Sequence, residues 1–367
     1  MRKALVPLEP GSTIGILGGG QLGRMLALAA ARLGFNVHIF CPDENSPAFK
    51  VAEKSYPYEY EDEDALAKFA QATDVITYEF ENVPAQTAAF LSSRTALHPS
   101  TRALKVAQNR LAEREFLASN DIAIAPFAAI SCQQDLERSL AEIGTPAVLK
   151  AQTLGYDGKG QAVIKNSEEI PKALASIGNV PAILEAFIPF EREISVIIAR
   201  TPSGEISAYD PGENQHVNHI LDKTIIPANI TSETLEKAIT TARNIAEALD
   251  YVGVLAVEMF ICERPGFEPL YVNEIAPRVH NSGHWTQDAC LTDQFEQHIR
   301  AICGWPLGPV QRHSDAVMKN LIGDDFYQWP QFAAMDDHCV HLYGKTKVRA
   351  ARKMGHVNQI IPRKNTN

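Results

Sequence analysis

Two rhythms of apolar positions run along the chain, and they change character about a third of the way in. Over the first hundred residues short apolar runs alternate with helical ones. Ser12-Thr-Ile-Gly-Ile-Leu17 reads as a strand, Gln21 to Leu33 as a helix rich in Ala and Leu, and Asn36-Val-His-Ile-Phe-Cys41 as a second strand. Asp74-Val-Ile-Thr-Tyr78 follows as a later strand of the same sheet, a succession that predicts parallel strands with crossover helices. A charged helical stretch covers 103–118, and Pro126 opens a new unit. There Pro146-Ala-Val-Leu-Lys150 and Gln161-Ala-Val-Ile-Lys165 read as strands around a glycine-rich loop, followed by strands at Ile183-Leu-Glu185 and 194–200 and a helix from about Ser232 to Leu249. Beyond Gly304-Trp-Pro-Leu-Gly308 the pattern shortens to strands and turns. The expected organisation is α/β and α+β in three units: 1–105, 106–303 and a small β-rich unit over 304–367.

The apolar runs Val254-Leu-Ala-Val-Glu258-Met-Phe-Ile-Cys262 and Leu270-Tyr-Val-Asn-Glu274-Ile275 are separated by Glu263-Arg-Pro-Gly-Phe-Glu-Pro269, whose turn residues predict a β-hairpin. Folding one run back on the other puts Glu258 opposite Glu274 or one residue away. Two carboxylates that close among Val, Leu and Ile repel unless a cation separates them. Hard oxygen ligands suit Mg2+, which takes one or two carboxylates together with substrate phosphates. Asn273 adds a neutral oxygen, and the polar run Ala276-Pro-Arg-Val-His-Asn-Ser-Gly-His-Trp285 continues directly. A pair of solvated edge carboxylates is the plainer alternative.

Three further segments favour anions. Gly18-Gly-Gly20-Gln-Leu-Gly23 fits G-x-G-x-x-G between a strand and a helix, with amides and a helix N-terminus suited to phosphate; Asp43 even falls near the place of a ribose carboxylate. A dinucleotide site and a simple structural turn both fit this loop. Gly155-Tyr-Asp-Gly-Lys-Gly160 lies between two strands, so it is no Walker loop, yet its glycines let backbone fold over phosphates beside Lys159 and Lys150. Near the C-terminus Lys345, Lys347, Arg349, Arg352 and Lys353 place five cations in nine residues, bracketed by Gly344 and Gly355. A solvated basic tail is the ordinary reading of such a run; a second phosphate held by charge-assisted hydrogen bonds is the sharper one.

Composition narrows the field. The 367 residues are 45% apolar and 21% charged, ordinary for a globular protein of two or three domains. The net charge of −10 argues against nucleic acid or an anionic membrane as the main partner. Six scattered cysteines form no Cys-x-x-Cys pair, the first ten residues do not read as a signal peptide, and no run approaches the ~20 apolar residues of a membrane span, so a cytoplasmic protein is expected.

The order Lys150, the 155–160 loop, Glu185-Ala-Phe-Ile188, Glu193, Glu258 and Asn273-Glu274 resembles the ATP-grasp superfamily over nearly the whole chain. Gly18-Gly-Gly-Gln-Leu-Gly-Arg-Met25, Tyr78-Glu-Phe-Glu-Asn82, Gly155-Tyr-Asp-Gly-Lys-Gly-Gln161 and Asn273 to Trp285 are similar to its branch that carboxylates an aminoimidazole ribonucleotide in de novo purine synthesis. Leu154 stands where that branch commonly has glycine, and Val279 where it has proline. The resemblance implies an ATP-grasp fold with a Rossmann-like N-terminal domain. ATP would be held by Arg110, Lys150, Gly155, Tyr156, Asp157, Gly158, Lys159, Gly160 and Gln161, with Glu185, Ala186, Phe187 and Ile188 at the adenine, Glu193 at the ribose, His216 near the phosphates, and Asn273 and Glu274 beside them. Glu258 and Glu274 would bind Mg2+, or Mn2+ in its place. The ribonucleotide would meet Gln21, Leu22, Glu79, Tyr156, Asp157, Arg278, His280, Asn281 and Ser282, and its phosphate Lys345, Arg352 and Lys353. Asp157, Lys159 and Arg278 are the implied catalytic side chains. Bicarbonate would attack the γ-phosphate to give carboxyphosphate, from which the amine is carboxylated inside a site that excludes water. A homodimer is also implied. Rival readings are another ATP-grasp ligase such as a formate-dependent transformylase or a biotin carboxylase, an NAD-dependent oxidoreductase, and a nucleotide-binding module without turnover.

Overall fold

The computed structural model describes residues 6–153 and 160–363. The N-terminal strands form a five-stranded parallel sheet in the order Lys54–Tyr56, Asn36–Phe40, Thr13–Leu17, Val75–Tyr78, Ala96–Leu97. Its central strand is buried on both faces, which explains its unbroken apolar run. Ile14 and Ile16 pack with Met25 and Leu26 of the helix Gln21–Arg32, while Leu17 packs with Phe40, Phe69 and Tyr78. At the end of that strand Gly18 adopts φ 102°, a left-handed conformation that a side chain would strain, and so turns the chain into the helix.

The charged stretch expected as one helix is two, Thr101–Gln108 and Arg110–Ser119. Between them Asn109 is extended (φ −129°, ψ 116°), and its side chain accepts a hydrogen bond from the Ala112 amide at 3.0 Å. An N-cap thus restarts the helix where periodicity alone reads straight through.

Two antiparallel sheets follow. The smaller has the order Phe127–Ile130, Ala182–Ala186, Ala147–Ala151, Gln161–Ile164. The larger runs Leu270–Ala276, Gly253–Ile261, Arg192–Arg200, Gly212–Val217, Ile220–Ile226, Ser314–Ile322, Lys353–Pro362, His338–Leu342, with Ile206–Ala208 beside Arg192–Arg200. Leu255, Val257, Met259 and Ile261 bury one face of the larger sheet against Ala238, Ala242 and Ile245 of the helix Ser232–Ala248. Val254 and Ala256 point to the opposite core, and Glu258, next on that face, emerges into a cleft.

The strands Gly212–Val217 and Ile220–Ile226 were not anticipated from sequence. Their two-residue loop, Asn218 and His219, has φ 51° and 65°, the paired left-handed geometry of a tight hairpin that Asn tolerates. The expected β-rich C-terminal unit is present, and its strands do not stand apart: Ser314–Ile322 pairs with Ile220–Ile226 and extends the larger sheet. Among the described residues no helix is long and apolar enough to cross a membrane.

Candidate active site between the two antiparallel sheets

A cleft of about 1030 Å³ opens between the smaller and larger sheets and reaches the first glycine loop. Every described residue expected at the site lines it except Gly160, Ser282, Lys345 and Arg352. The expected residues Gly155, Tyr156, Asp157, Gly158 and Lys159 lie outside the described residues, as does Leu154.

The carboxylate pair forms as the hairpin predicts. Glu258 is in register with Glu274, and the pairing slips immediately afterwards, Met259 facing Val272, so Asn273 is an extra residue on its strand. Such a bulge re-aims side chains and is common beside active sites. Here it leaves Val272 in the core and sends Glu274 into the cleft. Glu193 and Ser195 come from the neighbouring strand, Ser195 in register with Glu258. Burial, then the negative charge of Glu274 and of Glu193, pushes the Glu258 carboxyl well above its ordinary range. Burial and Glu274 push Glu193 up to about 7. His280 Nε2 lies 3.4 Å from Glu258, and burial followed by the charges of Arg278 and Lys353 keeps this imidazole's pKa well below its usual value. A neutral histidine does not cancel the clustered acids. Among the described residues no three His, Cys, Asp or Glu side chains are arranged to hold a metal ion unaided, so a cation here would share its coordination with ligand oxygens, the habit of Mg2+.

Facing this cluster, Lys150 Nζ lies 2.5 Å from Glu185. Burial pushes the Glu185 carboxyl up, but Lys150 and Arg114 together hold it below its ordinary range. Arg110 donates to the Ala151 carbonyl at 3.0 Å, fixing the helix start against the lysine strand. Phe187 is exposed to the cleft, and Phe190 stacks on Phe260 with centroids 4.2 Å apart, giving that end flat apolar walls. His216 Nδ1 lies 3.5 Å from Glu193.

At the far end Glu79 takes two of the first loop's amides: Gly20 N–H and Gly23 N–H donate to its carboxylate at 2.7 and 2.9 Å. A carboxyl group of the protein therefore occupies the amides that a dinucleotide pyrophosphate would need. This removes the physical basis of an NAD site. Gln21 and Leu22, on the same helix end, still face the cleft. Lys353 lines it too, and Lys345 donates to the Lys353 carbonyl at 2.7 Å. Burial, with Arg352 next, lowers the Lys345 pKa to about 8. Arg352 donates to the Lys347 carbonyl at 3.0 Å, whereas Lys347 and Arg349 are exposed. The basic run is therefore a folded turn with some of its cations directed inward.

The segment 278–282 is held from behind. Arg278 pairs with Glu81; Gln294, fully buried, accepts from the His280 amide at 2.9 Å and donates to its carbonyl at 2.7 Å. Ser282 is buried behind the site, accepting from Ser195 Oγ at 2.7 Å and bonded to His280 Nδ1 at 2.8 Å. Asn281 and Asn320 exchange reciprocal amide hydrogen bonds of 3.0 and 2.6 Å. Sequence reasoning missed Glu113, Arg114, Gln294 and Asn320. Only Glu113 and Arg114 left a trace, as charges in the otherwise amphipathic stretch 110–119.

Two antiparallel sheets closing on a cleft, with a lysine strand on one and an acidic hairpin on the other, define the ATP-grasp class. The ATP-grasp domain model matches 115–295, the ribonucleotide synthetase preATP-grasp domain 12–108, and the phosphoribosylaminoimidazole carboxylase C-terminal domain 316–366. The chain is 49% identical to N5-carboxyaminoimidazole ribonucleotide synthase of Brucella melitensis, covering 97% of this chain and 98% of the relative, and 40% identical to that of Bacillus subtilis over 95% and 92%. An ADP complex of an N5-carboxyaminoimidazole ribonucleotide synthetase superposes with a TM-score of 0.92 at 42% identity, covering 96% and 93% of the two chains. A synthase from Aspergillus clavatus, solved with ADP and 5-aminoimidazole ribonucleotide, superposes with a TM-score of 0.87 at 29% identity over 96% and 94%. This chain belongs to the N5-carboxyaminoimidazole ribonucleotide synthase family.

Proposed function

We propose that this protein is an ATP-dependent ligase of de novo purine synthesis that uses bicarbonate to convert 5-aminoimidazole ribonucleotide to N5-carboxyaminoimidazole ribonucleotide, releasing ADP and phosphate. The observation that carries the reading is the charge asymmetry of one continuous cleft. Clustered acids facing Lys150 lie at one end, and from them Lys353 leads to the other, where Arg278 and Lys345 lie within range of Glu79 beside the first glycine loop. The first end suits a triphosphate with its divalent cation, the second a monophosphate ester, and the ADP and ribonucleotide named for the Aspergillus clavatus enzyme are ligands of those two kinds.

Glu258 and Glu274 fit Mg2+ because the raised proton affinity of Glu258, pressed by burial and by the charge of Glu274 opposite it, reports a deficit of positive charge that a hard cation would fill. Bound there, Mg2+ would neutralise phosphate charge during transfer. Lys150 and Arg110 would orient the phosphates, and Lys159 would add charge from the glycine loop. Bicarbonate oxygen would attack the γ-phosphorus, with ADP leaving, to give carboxyphosphate. The ribonucleotide's amine would then form its C–N bond to the carboxyl carbon as phosphate departs. Asp157 would orient that amine and accept its proton, and Arg278 would hold developing negative charge on the carboxyl. His280, kept neutral by burial, can donate or accept a hydrogen bond there without adding charge. We further propose units of 1–105, 106–303 and 304–367, a homodimer, and residence in the cytoplasm, where six free thiols are compatible with the redox poise.

Release of ADP from ATP with Mg2+ and bicarbonate tests the reading directly. Turnover should require 5-aminoimidazole ribonucleotide for product formation, and labelled bicarbonate should appear in the product. ATP binding without ribonucleotide-dependent turnover would instead identify a nucleotide-binding module.

A further inference from the structure

We infer that Glu113 and Arg114 are a positioning dyad that fixes the Mg2+-facing carboxylate Glu274 relative to the phosphate-facing Lys150, a role that rests on the ATP-dependent reading above. Both residues sit in the first half of the helix Arg110–Ser119 and are 4% and 2% exposed. The Arg114 guanidinium uses all three of its nitrogens: Nη1 donates to Glu113 at 2.8 Å, Nε to Glu185 at 2.5 Å, and Nη2 to the Asn273 carbonyl. The second Glu113 oxygen accepts from the Ile275 amide at 2.8 Å. The backbone is therefore held on both sides of Glu274, at the bulge where regular pairing is lost and the ladder alone fixes least. The second Glu185 oxygen lies 2.5 Å from Lys150. A single side chain thereby joins the smaller sheet to the larger across the base of the cleft.

The chemistry needs this particular group. Two carboxylates and two cations alternate through the chain Glu113, Arg114, Glu185, Lys150, so each carboxylate meets at least one cation. The planar guanidinium can donate in three directions within one plane, whereas an ammonium is a compact point charge that cannot span the same acceptors. Without Arg114, Glu185 keeps Lys150 as its remaining cation, drawing it back from phosphate, and the Asn273 carbonyl loses its anchor. Outer groups that orient metal ligands commonly alter metal affinity by about 10–100-fold when removed.

The test measures Mg2+-ATP binding calorimetrically over a series of Mg2+ concentrations, beside thermal unfolding and the two Michaelis constants. Arg114→Lys should weaken Mg2+-ATP binding about tenfold or more and raise the Mg2+ concentration for half-saturation, while the Michaelis constant for the ribonucleotide changes much less. Equal rises in both Michaelis constants, or a wild-type Mg2+ dependence, would overturn the assignment. Should Arg114→Lys fail to fold, Glu113→Ala and Glu113→Gln decide: Gln retains an acceptor for the Ile275 amide and should rescue Mg2+-ATP binding, whereas indistinguishable binding by the two rejects the dyad. Ribonucleotide-dependent ADP release by the wild-type protein, measured in parallel, separates failure of this role from failure of the activity itself.

Discussion

Where the acidic hairpin lines the cleft Glu193 and Glu258 hold their protons more tightly than ordinary carboxyls, while in the basic turn Lys345 gives up its proton more readily than an ordinary lysine. Burial is the first cause at both ends, and like charge reinforces it: Glu274 against the two acids, Arg352 against the lysine. The two regions are mirror images in electrostatic terms. In each, one sign of charge outweighs what partly offsets it, Lys353 and Arg278 at Glu258 and Glu79 at Lys345, and a ligand of the opposite sign would relieve it. The buried network around Arg114 alternates two cations with two carboxylates, yet burial and the charge of Glu274 outweigh Arg114 at Glu113 and push it up to about 7, so the acid cluster reaches into its own support.

The largest break in this comparison comes from Glu274→Gln. Removing one hard ligand should lower turnover by about 10²–10³ at saturating ATP, the usual scale for losing one electrostatic contact to a charge-rich transition state. The same change removes repulsion from Glu258 and Glu193, so the ligand-free protein should unfold at the same temperature as wild type or higher. Near-normal turnover at saturating Mg2+ would reject the metal role, and a large drop in melting temperature would mean that Glu274 supports the fold instead.

Reversing the other end should act on the other substrate. Arg352→Glu removes a charge-assisted contact of roughly 1.5–3 kcal/mol, equivalent to about 10–150-fold in affinity, and adds repulsion. The Michaelis constant for 5-aminoimidazole ribonucleotide should rise by at least that factor, with that for ATP nearly unchanged if, as proposed, Lys150 and the acidic hairpin serve the triphosphate. Equal shifts for both substrates would make residues 345–353 a general electrostatic surface.

How much of this was legible in the sequence depended on the range of the interactions. The acidic hairpin was readable because two apolar runs and an intervening turn fix register locally, to within the one residue that the Asn273 bulge then decides. Helix and strand positions in the parallel sheet were readable for the same reason. Glu79 was expected to meet substrate, yet its hold on the Gly20 and Gly23 amides spans more than fifty positions and leaves no periodic trace. Gln294 and Asn320 were silent for a further reason: a lone amide in an amphipathic helix or strand has no pattern of its own, and only its partners at 280 and 281 give it meaning. Arg114 reads as one more helical charge until the fold brings Glu185 and Asn273 to it.

The smallest effect, and the sharpest for the mirror relation, is in pH. In the free enzyme Lys345 is protonated below about 8 and neutral above it. The ribonucleotide phosphate, with a second pKa near 6, stays dianionic across that range. Only the protein side of the contact changes, so the sign is unambiguous: kcat/KM for the ribonucleotide should fall as pH rises through about 8, by up to about tenfold per unit before levelling, because this parameter reports ionisations of the free enzyme. Substituting Lys345 by Met should lower kcat/KM at pH 7 and remove the alkaline limb. The corresponding parameter for ATP should lack that limb in both proteins, since Lys345 lies by Glu79 and the first glycine loop and not among the acids facing Lys150. A limb near pH 8 that survives the Met substitution, or that appears equally for ATP, would assign the ionisation to another group and remove Lys345 from the phosphate site.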